Sequence, residues 1–188
     1  AKAALRSGIQ VQTHAIGDRG NRLTLDLYQQ AFASVPPAER ATAEPRFRIE
    51  HAQVLAPEDI PRFAQLGVIA SMQTSHAISD LFFAPSRLGP VRIEGAYAWR
   101  SLLDAGAIIA GGSDAPVEEA NPFVSLAAAE TRQDPEGQPP GGFLPGPLHL
   151  IRTMIIAPEV SALRILGIPA ICSSIVSLND IVSYAVAI

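Results

Sequence analysis

The sequence predicts an α/β fold with a parallel sheet, built from repeated strand-then-helix units. Three observations carry that expectation. Four short apolar or alternating runs, at 9–13, 46–50, 68–73 and 107–110, recur along the chain. Helix-like stretches separate or follow them, with Pro and Gly at their boundaries. No hairpin signal joins any two runs, so each strand must return through a right-handed crossover.

Each element has a local reason. The opening Ala1-Lys2-Ala3-Ala4-Leu5-Arg6-Ser7-Gly8 reads as a helix end stopped by Gly8. The run 9–13 alternates apolar and polar residues, as a half-buried strand does. Gly17-Asp18-Arg19-Gly20 reads as a loop and Asn21 as an N-cap. Leu23, Leu27, Ala31 and Val35 then recur at helical spacing until Pro36-Pro37. The second strand, 46–50, precedes a helix at 57–66 with Pro57 in its first turn and Gly67 as its stop. The third strand, 68–73, runs into a long loop, 74–94, rich in Pro and Ser. A helix at 97–105, stopped by Gly106, leads to the fourth strand at 107–110 and to Gly111-Gly112-Ser113-Asp114. Asn121-Pro122 marks the start of a last helix, and 133–142 is expected to be a loop able to act as a lid. Units of about 35 to 45 residues suit a βα-barrel. A doubly wound open sheet is the alternative, although no Gly-x-Gly-x-x-Gly follows any strand.

Composition narrows the function. With 188 residues, 48% hydrophobic and 17% charged, the chain is not disordered by composition. A net charge of −4 and scattered arginines argue against nucleic acid as a partner. One cysteine, Cys172, excludes an intramolecular disulfide framework and a Cys-rich zinc site, and a cytoplasmic location is the expectation. No apolar run reaches about 18 residues, so no membrane partner is expected. The chain starts without Met inside a helix-like motif and is expected to be a fragment.

Three strand ends carry metal-capable side chains. His14 and His51 stand 37 positions apart, one unit, at what the pattern makes equivalent ends of neighbouring strands. Neutral imidazoles on one rim can share a divalent ion, zinc being the expected one. Asp114, after a small-residue turn, can ligate that ion and move a proton. A capped, hydrogen-bonded loop histidine and a turn-capping aspartate are the plain alternatives, weaker for three residues in phase than for any one alone. Asp18 reads first as a loop cap and second as a hydrogen-bond acceptor for a ligating imidazole. Gln73 and His76 end the third strand and are candidates for the substrate pocket, with a surface-loop role the alternative. Alternation points Glu50 away from the rim. Glu118 and Glu119 are expected to be solvated, and His149 lies outside the repeat.

Several linked segments resemble the amidohydrolase superfamily, specifically amidohydrolase family 3, and are similar to N-substituted formamide deformylases. They are His14-Ala15-Ile16-Gly17-Asp18, Arg48-Ile49-Glu50-His51-Ala52-Gln53, Gly67 through Ser71-Met72-Gln73-Thr74-Ser75-His76, Arg87-Leu88-Gly89-Pro90, Tyr97 through Gly106, and Gly112-Ser113-Asp114-Ala115-Pro116-Val117-Glu118. The resemblance spans about 5–146 and implies a (β/α)8 TIM-type barrel of which this chain supplies strands five to eight. It implies that His14 and His51 bind metal, and that Asp114 binds metal and serves as general acid/base. It further implies water-driven hydrolysis of a non-peptide C–N bond in a small amide or formamide.

The family's strand-one His-x-His pair and strand-four lysine have no counterpart here. Isolated, the chain is therefore expected to be inactive, with the missing N-terminal half of the barrel as its partner. The expected division is 1–146 as half-barrel and 147–188 as an apolar tail without a match, attributed to a frameshift or an unremoved intron. A non-catalytic remnant or binding module, and a deaminase of the same superfamily, are the rival readings. Specificity is expected in the loops 74–94 and 133–145.

Overall fold

A computed structural model describes residues 1–144. The tail expected at 147–188, the boundary at 146, His149 and the end of the 133–145 loop lie outside the described residues. Helix α1 (Lys2–Ser7) ends at Gly8, whose φ of 69° is the left-handed stop that the sequence suggests. Strand β1 (Gln12–Ala15) leads into α2 (Asp18–Ser34), β2 (Arg48–His51) into α3 (Ile60–Leu66), and β3 (Ile69–Met72) into a helical segment. That segment holds α4 (His76–Ser79), α5 (Ala84–Arg92) and a short 3-10 turn, Ile93–Gly95. Helix α6 (Trp99–Asp104), β4 (Ile109–Gly111) and α7 (Pro122–Thr131) complete the described order.

All three strand pairings are parallel, and the sheet order is β1-β2-β3-β4. Among the described residues the order never reverses, so the crevice of a doubly wound sheet is not formed. Helix α1 packs on α2, α2 on α3, and α3 on α6, making one layer against the sheet. Leu5, Leu25, Val35, Phe47, Ile49, Phe63, Val68, Trp99 and Leu102 fill the core. Within that layer Asp59, almost fully buried, receives Arg22 at 2.7 Å and Arg62 at 2.9 Å, which joins α2 to α3. Among the described residues no helix is long and apolar enough to cross a membrane.

Four expectations need correction. The 17–20 loop is largely the first turn of α2, so Asn21 lies inside the helix and is fully buried. Its amide donates to the carbonyls of Ala15, Ile16, Gly17 and Val54 instead of capping. Leu23 and Leu27 are exposed, at 52% and 62%, because α2 buries the neighbouring face of Leu25, Tyr28 and Ala31. The 74–94 loop is mostly helical, with its kink at Gly89, where φ is 72°. The other helix boundaries agree with the sequence. Asn121 caps α7 by accepting from the Phe123 N–H, and Gly67 and Gly106 both adopt positive φ where they stop helices.

Candidate metal centre

The two histidines meet, though not in the register expected. His14 pairs with Glu50, and Ala15 with His51, so the histidines are staggered by one residue. Pleating alone would put them on opposite faces. The backbone resolves the conflict, since His51 and Ala52 both take left-handed conformations, with φ of 74° and 45°. That break in the pleat turns the His51 ring against the His14 ring, centroids 4.5 Å apart and edge-on. Two consecutive left-handed non-glycine residues cost roughly 1–3 kcal/mol each. Such strain persists where the surroundings hold it, and here Ala52 donates to Ala15 O at 3.1 Å and Val54 to Ile16 O at 2.9 Å.

His76 joins the same cluster. Its ring stacks on that of His51, centroids 5.5 Å apart and 16° from parallel. It is buried at the start of α4, with Nε2 3.8 Å from a Glu118 carboxylate oxygen. Glu118, expected to be solvated, is mostly covered and accepts from the Ser79 hydroxyl at 2.5 Å. Gln73 is buried two residues before Ser75, and Thr74 donates to Ser125 O, tying the end of β3 to α7.

Asp114 stands on the turn after β4, exposed and with φ of 57°. Its carbonyl accepts from the Val117 N–H at 2.8 Å. Its charge reaches His51. Burial is the largest cause holding the His51 imidazole below its ordinary pKa; the adjacent His14 acts in the same direction, and Asp114 opposes them. A neutral imidazole is the form that ligates metal. The His51 Nδ1 atom is buried and without a hydrogen-bond partner.

These side chains fit a divalent ion by donor type, two imidazoles and a carboxylate on one rim. His14 and His51 are in ring contact, and the orphaned Nδ1 is a position where an ion would supply the missing partner. As placed, no group of three His, Cys, Asp or Glu residues closes around a common point among the described residues.

Two expected roles read differently in the structure. Asp18 opens α2, and its carboxylate takes both Arg92 nitrogens, at 2.9 and 3.0 Å. That interaction pins α5 to α2 and holds Asp18 below the usual carboxylate range. Glu50 shares the sheet face of His14 and pairs with Arg48 at 3.1 Å.

Sequence reasoning missed a second layer. Gln53 and Tyr97 both donate to Asp80, the tyrosine at 2.5 Å, and the Asp80 N–H donates to His76 O at 2.9 Å, which ties this group to the histidine row. Burial and Asp80 together push the Tyr97 hydroxyl well above its ordinary pKa. Arg132 lies buried with its guanidinium 4.0 Å from the Trp99 ring centre and donates to Tyr97 O at 2.6 Å. Burial pushes it down to about 10. Gln53 and Tyr97 lie in segments that carry the family resemblance, while nothing in the sequence singles out Asp80 or Arg132.

The family model described as "Amidohydrolase family" matches residues 1–160. The chain is 39% identical over 163 residues to "Protein LONG AFTER FAR-RED 3" of Arabidopsis thaliana, covering 86% of this chain and 27% of that protein. It is 34% identical over 137 residues to "Putative amidohydrolase YtcJ" of Bacillus subtilis (strain 168), covering 73% and 24%. An uncharacterized metal-dependent hydrolase from Pyrococcus horikoshii OT3 aligns with TM-score 0.56 and 30% identity, over 66% of this chain and 23% of that one. Its counterpart from Pyrococcus furiosus aligns with TM-score 0.56 and 31% identity, over 70% and 25%. The chain thus spans about a quarter of the length of these relatives.

Proposed function

The chain belongs to the amidohydrolase family, and from that premise we propose that it carries part of the catalytic centre of a metal-dependent hydrolase that cleaves a C–N bond in a small amide or formamide. The observation that supports this best is the contact of the His14 and His51 rings, made by a left-handed backbone at the end of β2. Strain of that kind at a strand end is a mark of a functional site. In this reading the four parallel strands are an arc of a (β/α)8 barrel, whose active site lies at the C-terminal strand ends. The centre is completed by a segment corresponding to the part of the relatives that this chain does not cover.

His14 and His51 would hold the ion, with Asp114 as a third donor and zinc the ion that would suit the set. When bound, a divalent ion polarises a carbonyl and makes water a nucleophile at neutral pH. Asp114 takes a proton from the attacking water and returns it to the departing nitrogen. One C–O bond forms and the C–N bond breaks, leaving a carboxylic acid and an amine. Exposure of Asp114 on its turn leaves it free to face both the ion and the substrate. His76 and Gln73 line the substrate side, with Glu118 and Ser79 fixing the His76 segment.

The test is made on the full-length protein. His14→Ala and His51→Ala are expected to lower zinc content, by elemental analysis, together with formanilide hydrolysis. Unchanged metal content in both variants overturns the ligand assignment. Full metal content with no turnover of any amide, ester or heterocyclic amine points instead to a binding module.

A further inference from the structure

Four buried polar atoms at the ends of β2 and β3 lack any hydrogen-bond partner: His51 Nδ1, Gln73 Oε1, Ser75 Oγ and His76 Nε2. Folded proteins seldom leave such atoms unpaired, and a cluster of them marks a place where a ligand, ion or water belongs. Gln73 is the informative member. Its amide nitrogen donates to Ser71 O at 3.4 Å, which orients the group and leaves the carbonyl oxygen as the free end. That oxygen can only accept.

Its surroundings place it beside the reacting centre. The amide nitrogen lies 4.0 Å from where a Cβ on Gly112 would sit, ordinary contact distance, so Gln73 packs against the turn that presents Asp114. Gly112 itself donates to Met72 O at 3.1 Å. On the other side, the His76 N–H donates to Gln73 O at 3.2 Å, and the His76 ring stacks on His51. Gln73 therefore touches the His76 segment on one side and, on the other, the turn after β4 that carries Asp114.

Resting on the hydrolase reading above, we propose that Gln73 Oε1 accepts a hydrogen bond from an N–H on the leaving side of the substrate, so that the site selects amides bearing an N–H over N,N-disubstituted amides and esters. A substrate without that N–H leaves the buried carbonyl unpaired, which is how a polar site rejects an analogue. The substrate class is a secondary or N-unsubstituted amide whose nitrogen remains a donor when bound.

The experiment separates binding from turnover. Metal-stripped full-length protein is titrated with formanilide and with N-methylformanilide, and binding is followed by ligand-observed NMR. Formanilide is expected to bind about 5- to 100-fold more tightly, the range for a hydrogen bond to a buried acceptor. Gln73→Leu is expected to abolish the preference, and Gln73→Glu, which keeps an acceptor, to retain it. Circular dichroism and zinc uptake at the parent level show that the variants are folded. Equal binding of the two ligands, binding of neither, or a preference that survives in Gln73→Leu overturns the proposal. A Gln73-dependent preference without formanilide turnover by the metal-loaded protein supports the acceptor role and refutes the hydrolase reading. Turnover without the preference does the reverse.

Discussion

Asn21 is the sharpest place to test how the strand ends are held. Its side-chain nitrogen lies 2.9 Å from Gly17 O and 3.2 Å from Ala15 O, Ile16 O and Val54 O. It has only two protons for four acceptors, so it supplies two hydrogen bonds' worth of stabilisation. Three of those carbonyls have backbone donors as well, from Ala52, Val54 and Asn21 itself. Asn21→Ala therefore removes two bonds at about 0.5–1.5 kcal/mol each without orphaning most acceptors. The void left at a fully buried position adds about 1 kcal/mol. The sum is about 2–4 kcal/mol. Asn21→Asp keeps the shape but turns a carboxylate toward four carbonyl oxygens, and is expected to be worse than alanine. Urea unfolding of the full-length protein measures both, with an unchanged slope showing that the comparison is of stability. An aspartate variant as stable as the alanine variant, or an alanine loss below about 1 kcal/mol, would refute the reasoning.

Two further outcomes follow from specific contacts. A Cβ on Gly95 would lie 1.8 Å from Leu55 O, while Leu55 N donates to Gly95 O at 2.9 Å. Gly95→Ala must displace backbone, and a loss above about 3 kcal/mol is expected as overpacking against a rigid neighbour; a melting temperature equal to the parent's would contradict it. Arg92 holds the Asp18 carboxyl below its usual range, so the folded pKa lies under the unfolded value of about 4. The ion pair's contribution is then complete above about pH 5 and lost as pH falls through the folded value. Both partners are partly exposed, at 48% and 31%, so solvent screening keeps the contribution small. Arg92→Gln is accordingly expected to destabilise at pH 7 and to match the parent near pH 2; a stability gap that stays constant across that range would show that packing, not charge, is involved.

The parts of the fold legible in the sequence are those set by local chemistry. Gly8, Gly67 and Gly106 stop helices with positive φ, and Asn121 caps α7, because each act depends on one residue and its immediate neighbours. The parallel order followed from the absence of hairpin turns. What failed was choice of face. Leu23 and Leu27 have the helical spacing of a core stripe, but so do Leu25, Tyr28 and Ala31, and only the partner surface decides between them. Asn21 shows the same limit, since a residue type that favours caps is equally able to satisfy buried carbonyls when a second strand end, at Val54, is brought to it.

The candidate site divides along the same line. Residue type and spacing singled out His14, His51 and His76, and the structure brings their rings into a contiguous row. Alternation, the tool that assigns faces along a strand, would have separated His14 from His51, because their registers differ by one. The two rings meet only because the chain abandons alternation at His51 and Ala52. A period can be read from a sequence, but a deliberate departure from it cannot, as neither residue is a glycine that would announce the left-handed turn. The departure needs support from outside the strand. The Ala52 and Val54 amides bonding back to Ala15 and Ile16, and the Asn21 amide beneath all of them, supply it. The same residue whose loss is expected to weaken the fold thus also supports the strand ends that carry the two imidazoles, so that under the proposed ligand assignment zinc content, by elemental analysis, is expected to fall together with stability in Asn21→Ala.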